Sequence, residues 1–195
     1  MQKLNTGYYK TFAAFSFMLM ISSCSNTKFL QEGQMLYTGA KITVKNDTLS
    51  KKEKSNLKDA LQEQLRPKPN SSFLGLRPRL YVYNITKEPK KQKGIGYWLK
   101  YKIGEKPVLL GDVDREFNKK IIVNYSENKG FFNAEASSDT IKKNKKAQVL
   151  YTVKPGARYL ISQVNFPVDS TVINSEIQSI KDKSFLKAGN PFDLD

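Results

Sequence analysis

The chain contains no histidine and a single cysteine, Cys24. The first absence removes the commonest metal ligand and general base, so Ser-His-Asp, Cys-His and HExxH chemistries are excluded. The second excludes an internal disulfide and a cysteine-based zinc site. Long hydrophobic runs are missing too. The most apolar stretch, Thr11 to Ile21, falls well short of the roughly 20 residues that span a bilayer. Acidic side chains are scarce: 18 Asp and Glu stand against 33 Lys and Arg, a net charge of +15 over 195 residues. That excess points to an anionic partner such as nucleic acid, lipid headgroups or an acidic protein. No P-loop or G-x-S-x-G occurs, and Gly94-Ile95-Gly96 extends to no G-x-G-x-x-G run. The expectation is a binding module rather than an enzyme, with no cofactor and no metal.

What is present begins with an export signal over residues 1–23. Lys3 and Lys10 make a positive start, and the short apolar run follows. Ile21-Ser22-Ser23-Cys24 resembles the lipobox of bacterial lipoproteins, which implies that Cys24 becomes the diacylated first residue of the mature chain. Each buried acyl CH₂ contributes on the order of 0.8 kcal/mol, so several chains would hold the protein at a membrane. Export argues against nucleic acid as partner, and no helix-turn-helix, zinc-finger or RNP signature occurs. Residues 24–35 read as a tether.

Leu36 to Val44 predicts a strand, and Asn46-Asp47 a turn. Ser50-Lys51-Lys52-Glu53 is a capping box opening a helix that carries Leu57, Ala60, Leu61 and Leu65. Pro67 ends it. Residues 66–110 hold 11 Lys or Arg against Glu88 and Glu105, a local +9. The same stretch carries Tyr81, Tyr83, Tyr97, Tyr101 and the only tryptophan, Trp98. Leu80 to Tyr83 and Trp98 to Ile103 alternate as strands do. Cations mixed with amphipathic rings suit a membrane interface, with Arg77, Arg79, Tyr81, Tyr97, Trp98 and Tyr101 as the candidate contacts. The bland reading is a solvated insertion whose aromatics pack on the domain.

From Asp112 to Gly156 the pattern predicts one helix and one β-hairpin. Phe117, Ile121 and Tyr125 recur at i, i+4, i+8 as an apolar stripe, with Asp112 and Asp114 before it as caps and Gly130 after it. Phe132, Ala134 and Ala136 then alternate with Asn133, Glu135 and Ser137; Lys142 to Lys145 turns; Ala147, Val149, Tyr151 and Val153 return, closed by Pro155-Gly156. Tyr125, Gly130-Phe131-Phe132-Asn133-Ala134, Lys154-Pro155-Gly156 and Tyr159-Leu160-Ile161 together resemble the second half of a POTRA domain, the unit that precedes the outer-membrane barrel in the BamA/TamA family. Phe73-Leu74-Gly75-Leu76-Arg77 and Gly104-Glu105 with Pro107-Val108-Leu109-Leu110 resemble its lipoprotein branch, TamL.

The fold class expected is therefore α+β: one POTRA-like β-α-α-β-β unit over 36–156, with a long basic insertion (66–110) between its two helices. Residues 157–195 start a second such unit. There Leu160, Ser162, Val164 and Phe166 alternate, Ile173, Ile177 and Ile180 form a helical stripe, and Leu186 to Asp193 resembles the turn that caps the next helix. Stopping at that cap reads as the N-terminal part of a longer protein, whose further POTRA units and C-terminal barrel the resemblance implies. It also implies a module at the outer membrane, facing the periplasm, that assists assembly or translocation of outer-membrane proteins, possessing unfolded barrel proteins as substrate and an inner-membrane or periplasmic subunit as partner. The substrate edge is expected at Phe131, Phe132, Asn133, Ala134, Glu135, Ala136 and Ser137, continuing to Ile141. An exposed strand edge offers unpaired N–H and C=O groups to an extended chain. The alternative is a structural lipoprotein that holds segment 66–110 against an anionic membrane.

Overall fold

The computed structural model describes residues 26–166 and 171–194. The export signal, Cys24 with its lipobox, and Pro167 lie outside the described residues. Among the described residues the fold is mixed α+β with one three-stranded sheet.

β1 spans Leu36–Val44, β2 Glu135–Lys143 and β3 Lys146–Lys154, in the order β1-β3-β2. β2 and β3 are each nine residues long and are joined by Asn144 and Lys145, both at positive φ (48° and 56°). That is the two-residue type I′ connection, whose twist matches that of the flanking strands; the expected four-residue turn is thus shorter. β1 runs parallel to β3: Leu36 N–H donates to the Lys145 carbonyl (2.9 Å) and Lys45 N–H to that of Val153 (2.8 Å). The offset changes by one residue between those two bonds, the mark of a β-bulge. Gly39 (φ +124°) lies between them, in a conformation that glycine adopts without a Cβ penalty.

The chain divides into two compact units. One comprises Ala40–Arg66, Asp114–Thr140 and the residues from Val149 onward. Its helices α1 (Lys51–Gln64) and α4 (Arg115–Asn128) pack together. Ser50 caps α1 with the full capping box, its hydroxyl accepting from Glu53 N–H (3.3 Å) while the Glu53 carboxylate accepts from Ser50 N–H (2.9 Å). The Ser50 hydroxyl, which also donates to the Glu53 carboxylate (2.6 Å), and then the Ser50 N–H hold the Glu53 carboxyl below its ordinary pKa. Asp114 caps α4 by accepting from Phe117 N–H (2.9 Å). Ile42, Leu57, Leu61, Leu65, Ile122, Val149, Tyr151 and Val153 form the buried apolar set.

The buried stripe of α4 differs from the sequence expectation by one position. Asn118, Ile122 and Ser126 face inward, whereas Phe117 is 54% exposed. The reason is polar. Fully buried Asn118 accepts from Arg66 N–H (3.0 Å) and donates to Arg66 C=O (2.6 Å), satisfying backbone left over where α1 ends before Pro67. A hydropathy stripe does not register that demand.

The other unit comprises the described residues up to Gly39, Pro67–Val113 and Ile141–Gln148. Its core groups Leu30, Leu36, Leu80 and Leu109. The two stretches that read as strands are helical. α2 covers Pro78–Ile85, with proline in the first turn where it has no N–H to lose. α3 (Ile95–Trp98) runs on into a π-helical turn over Leu99–Ile103. Only Leu80 of α2 is buried, so the short apolar run carried no period able to separate helix from strand. α5 spans Val172–Ile180 and is followed by a 3-10 turn over Lys181–Lys183; Ile173 and Ile180 of its apolar stripe are 71% and 57% exposed. Residues 161–166 form no strand.

Candidate functional site

The outer rim of β2 is the candidate site, the strand edge expected from the sequence. A two-residue turn makes Lys143 and Lys146 a hydrogen-bonded pair; counting back from there, Ala136, Ser138 and Thr140 turn their N–H and C=O groups away from β3. Among the described residues no further strand pairs with them. Thr140 N–H is bonded to the neighbouring Asp139 carboxylate instead (2.7 Å), and Arg115 reaches the Thr140 hydroxyl (3.5 Å). Glu135, Ser137 and Asp139 are exposed, alternating with half-buried Ala136, Ser138 and Thr140. Charged and small polar side chains keep such an edge from indiscriminate pairing while leaving its backbone within reach.

The sheet's other rim is β1, and its first half is covered. Tyr37 N–H donates to the Val108 carbonyl (2.9 Å), Leu110 N–H donates to that of Met35 (2.9 Å), and Leu36 bridges Leu109. Sequence reading missed this cover. Its signal was the apolar run Val108-Leu109-Leu110, too short to be called a strand.

Four of the seven residues expected on the edge lie elsewhere. Gly130 N–H bonds Glu127 C=O (2.9 Å) and Phe131 N–H bonds Ser126 C=O (2.9 Å), the paired bonds of a Schellman helix end. Ala134 N–H then bonds Phe131 C=O (3.1 Å), closing a turn over Phe132 and Asn133. With these groups committed, the strand starts at Glu135. Phe131 is buried, and Phe132 stacks edge-on against Tyr159 and tilted against Phe192, 5.2 Å from each. Glu135, Ala136 and Ser137 are on the strand.

At that same helix end Gly130 (φ +85°) accepts from Tyr159 N–H (2.8 Å), and a Cβ there would come within 2.6 Å of the Phe192 carbonyl oxygen. Asp193 was expected to cap a helix. Here it pairs with Lys129 (2.7 Å) and Arg158 (3.5 Å). A cleft of about 290 Å³ opens beside these groups, lined by Leu49, Glu53, Leu57, Tyr125, Phe131 and Arg158 among others.

In the basic segment the aromatics engage one another. Tyr101 lies edge-on to Tyr83 and against Tyr97, and its phenol donates to Glu88, which pushes its pKa up to about 12. Lys100, buried, sits over the Tyr83 ring and donates to Thr86 C=O (2.9 Å). Tyr81 and Tyr97 are half-buried, Arg79 is exposed, and Trp98 is 53% exposed. Burial lowers the Arg77 pKa, and its Nε has no hydrogen-bond partner.

Among the described residues no group of three or more Cys, Asp or Glu is placed to hold a metal ion, and no helix is long and apolar enough to cross a membrane. No protein-family model and no curated protein sequence matches the chain. Among solved structures it is similar to the crystal structure of Haemophilus influenzae BamA POTRA3-5, at 15% sequence identity and a TM-score of 0.26, over 84% of this chain and 83% of that one.

Proposed function

We propose that this chain is a POTRA-like binding module that assists the assembly, insertion or translocation of outer-membrane proteins by pairing an unfolded segment with β2. In this reading acylated Cys24 holds it at the outer membrane, with the folded part facing the periplasm. The observation that carries the proposal is the position of β2: an edge strand nine residues long, with Ala136 and Ser138 presenting main-chain groups outward. A barrel protein not yet folded is rich in extended segments with unsatisfied backbone. Main-chain pairing accepts many such sequences with little side-chain selectivity. Photo-crosslinkers placed singly along 135–141 and, as a control, at Thr43 of β1 test the idea with an unfolded barrel protein. Adducts concentrated on β2 support it; adducts equal at Thr43, or none on β2, overturn it.

A further inference from the structure

The basic segment carries an exposed apolar tip that the edge-strand function does not use. Phe73 and Leu76 exchange both backbone hydrogen bonds (2.8 and 2.9 Å) around a two-residue turn. Its central residues, Leu74 and Gly75, have φ of 49° and 78°. Asn, Asp or Gly normally occupies the first of those positions, because a larger side chain is strained there. Here it is leucine, 87% exposed, next to a phenylalanine that is 71% exposed. Neither buries itself against the unit, so packing within the fold does not account for them.

The base of the tip is held firmly. On the incoming side buried Asn70 donates to Lys106 C=O (2.7 Å) and accepts from Val108 N–H (2.9 Å). Ser71 N–H and hydroxyl both bond Glu105 (3.0 and 2.5 Å). On the outgoing side Arg79 Nε donates to Ile103 C=O (3.0 Å) and Arg79 C=O accepts from Glu105 N–H (3.1 Å). An apolar tip on a braced base needs little further ordering when it enters a partner.

The charge of the segment that carries the tip selects the partner. Residues 66–110 carry 11 cations and two carboxylates, and both carboxylates are engaged internally, Glu88 by Tyr101 and Lys100 and Glu105 by Ser71. We infer that Phe73 and Leu74 form a wedge that enters the headgroup and acyl boundary of an anionic lipid surface, with Lys and Arg of the same segment attracted to the headgroups. This pairing of apolar insertion with cationic attraction is the one that holds peripheral proteins to anionic bilayers. Neither wedge residue is among the six membrane contacts expected from sequence, and the wedge stands independently of β2.

The test uses the full chain with Cys24→Ala, so that acylation cannot contribute, in co-sedimentation with phosphatidylglycerol vesicles and with phosphatidylcholine vesicles. Binding to phosphatidylglycerol that weakens with salt is expected, as is a loss of about tenfold or more in the Phe73→Ser/Leu74→Asn variant. Asn suits the left-handed turn, so the variant should melt no lower than the parent. A fluorophore sensitive to polarity on Leu74→Cys should shift to the blue with phosphatidylglycerol vesicles. Absence of vesicle binding, equal binding by the folded variant, or no spectral shift overturns the inference; the last two would point to a protein occupant for the tip.

Discussion

Replacing Asn118 by leucine removes the side chain that ties α4 to the end of α1. Leucine keeps the branching and the number of side-chain heavy atoms but is bulkier, so any overpacking adds to the polar loss. Asn118 is fully buried and makes two bonds, from Arg66 N–H at 3.0 Å and to Arg66 C=O at 2.6 Å. Each main-chain group left without a partner costs about 1–3 kcal/mol. Partial access of water to Arg66 and the added apolar contact reduce the sum, which gives an expected loss of about 3 kcal/mol. For a chain of this size 1 kcal/mol moves Tm by roughly 2–4 °C, so Asn118→Leu should melt about 6–12 °C lower. Urea unfolding followed by circular dichroism measures the change directly, with m held constant as the check that only stability moved. A loss below about 1 kcal/mol would refute the reasoning, because it would mean that the Arg66 groups find other partners.

Tyr151→Phe should do the opposite. Asn118 lies beside this phenol, yet its amide oxygen and one N–H are already on Arg66, and the buried Tyr151 hydroxyl has no hydrogen-bond partner. Burial pushes the phenol's pKa up, and removing the oxygen should leave urea stability unchanged or raise it by about 1 kcal/mol. Ser50→Ala should lower stability by about 1 kcal/mol at neutral pH through loss of the N-cap. Because the Glu53 pKa is depressed in the folded state, its contribution is present above the ordinary value of 4.5 and is lost as pH falls through the lower folded value; Glu53→Gln should therefore show a shallower loss of stability with acid than the parent. Lys145→Gly should stabilise the hairpin by up to about 1 kcal/mol, since Lys145 sits at φ 56°.

How far the sequence discloses this fold depends on how local each cause is. The capping box at Ser50 and Glu53, the ends of β1, the Asp114 cap and the alternation of Ala147, Val149, Tyr151 and Val153 each follow from residues a few positions apart, and the structure has all of them. The inward face of α4 is set by a distant backbone segment at Arg66, so the apolar stripe misplaced it by one residue. Phe131 to Ala134 alternate well enough to read as strand, but the end of α4 claims their hydrogen bonds first. For the site, the identity of β2 as an outer strand was legible from the hairpin and the family resemblance. The cover over β1 by Val108 to Leu110 was not, because it joins segments some 70 residues apart (36 and 109). The helices at Pro78–Ile85 and Ile95–Trp98 are short, and the alternation of Leu80 to Tyr83 was a coincidence of aromatic spacing.

Hydrogen exchange read residue by residue, with and without an extended peptide taken from a strand of an outer-membrane barrel, tests edge pairing most directly. If β2 pairs with substrate, the Ala136 and Ser138 amides, which face away from β3, become protected, while amides of β1 do not change. Protection confined to β1 or to the cleft beside Tyr125 and Arg158, or no protection along β2 at saturating peptide, would contradict it.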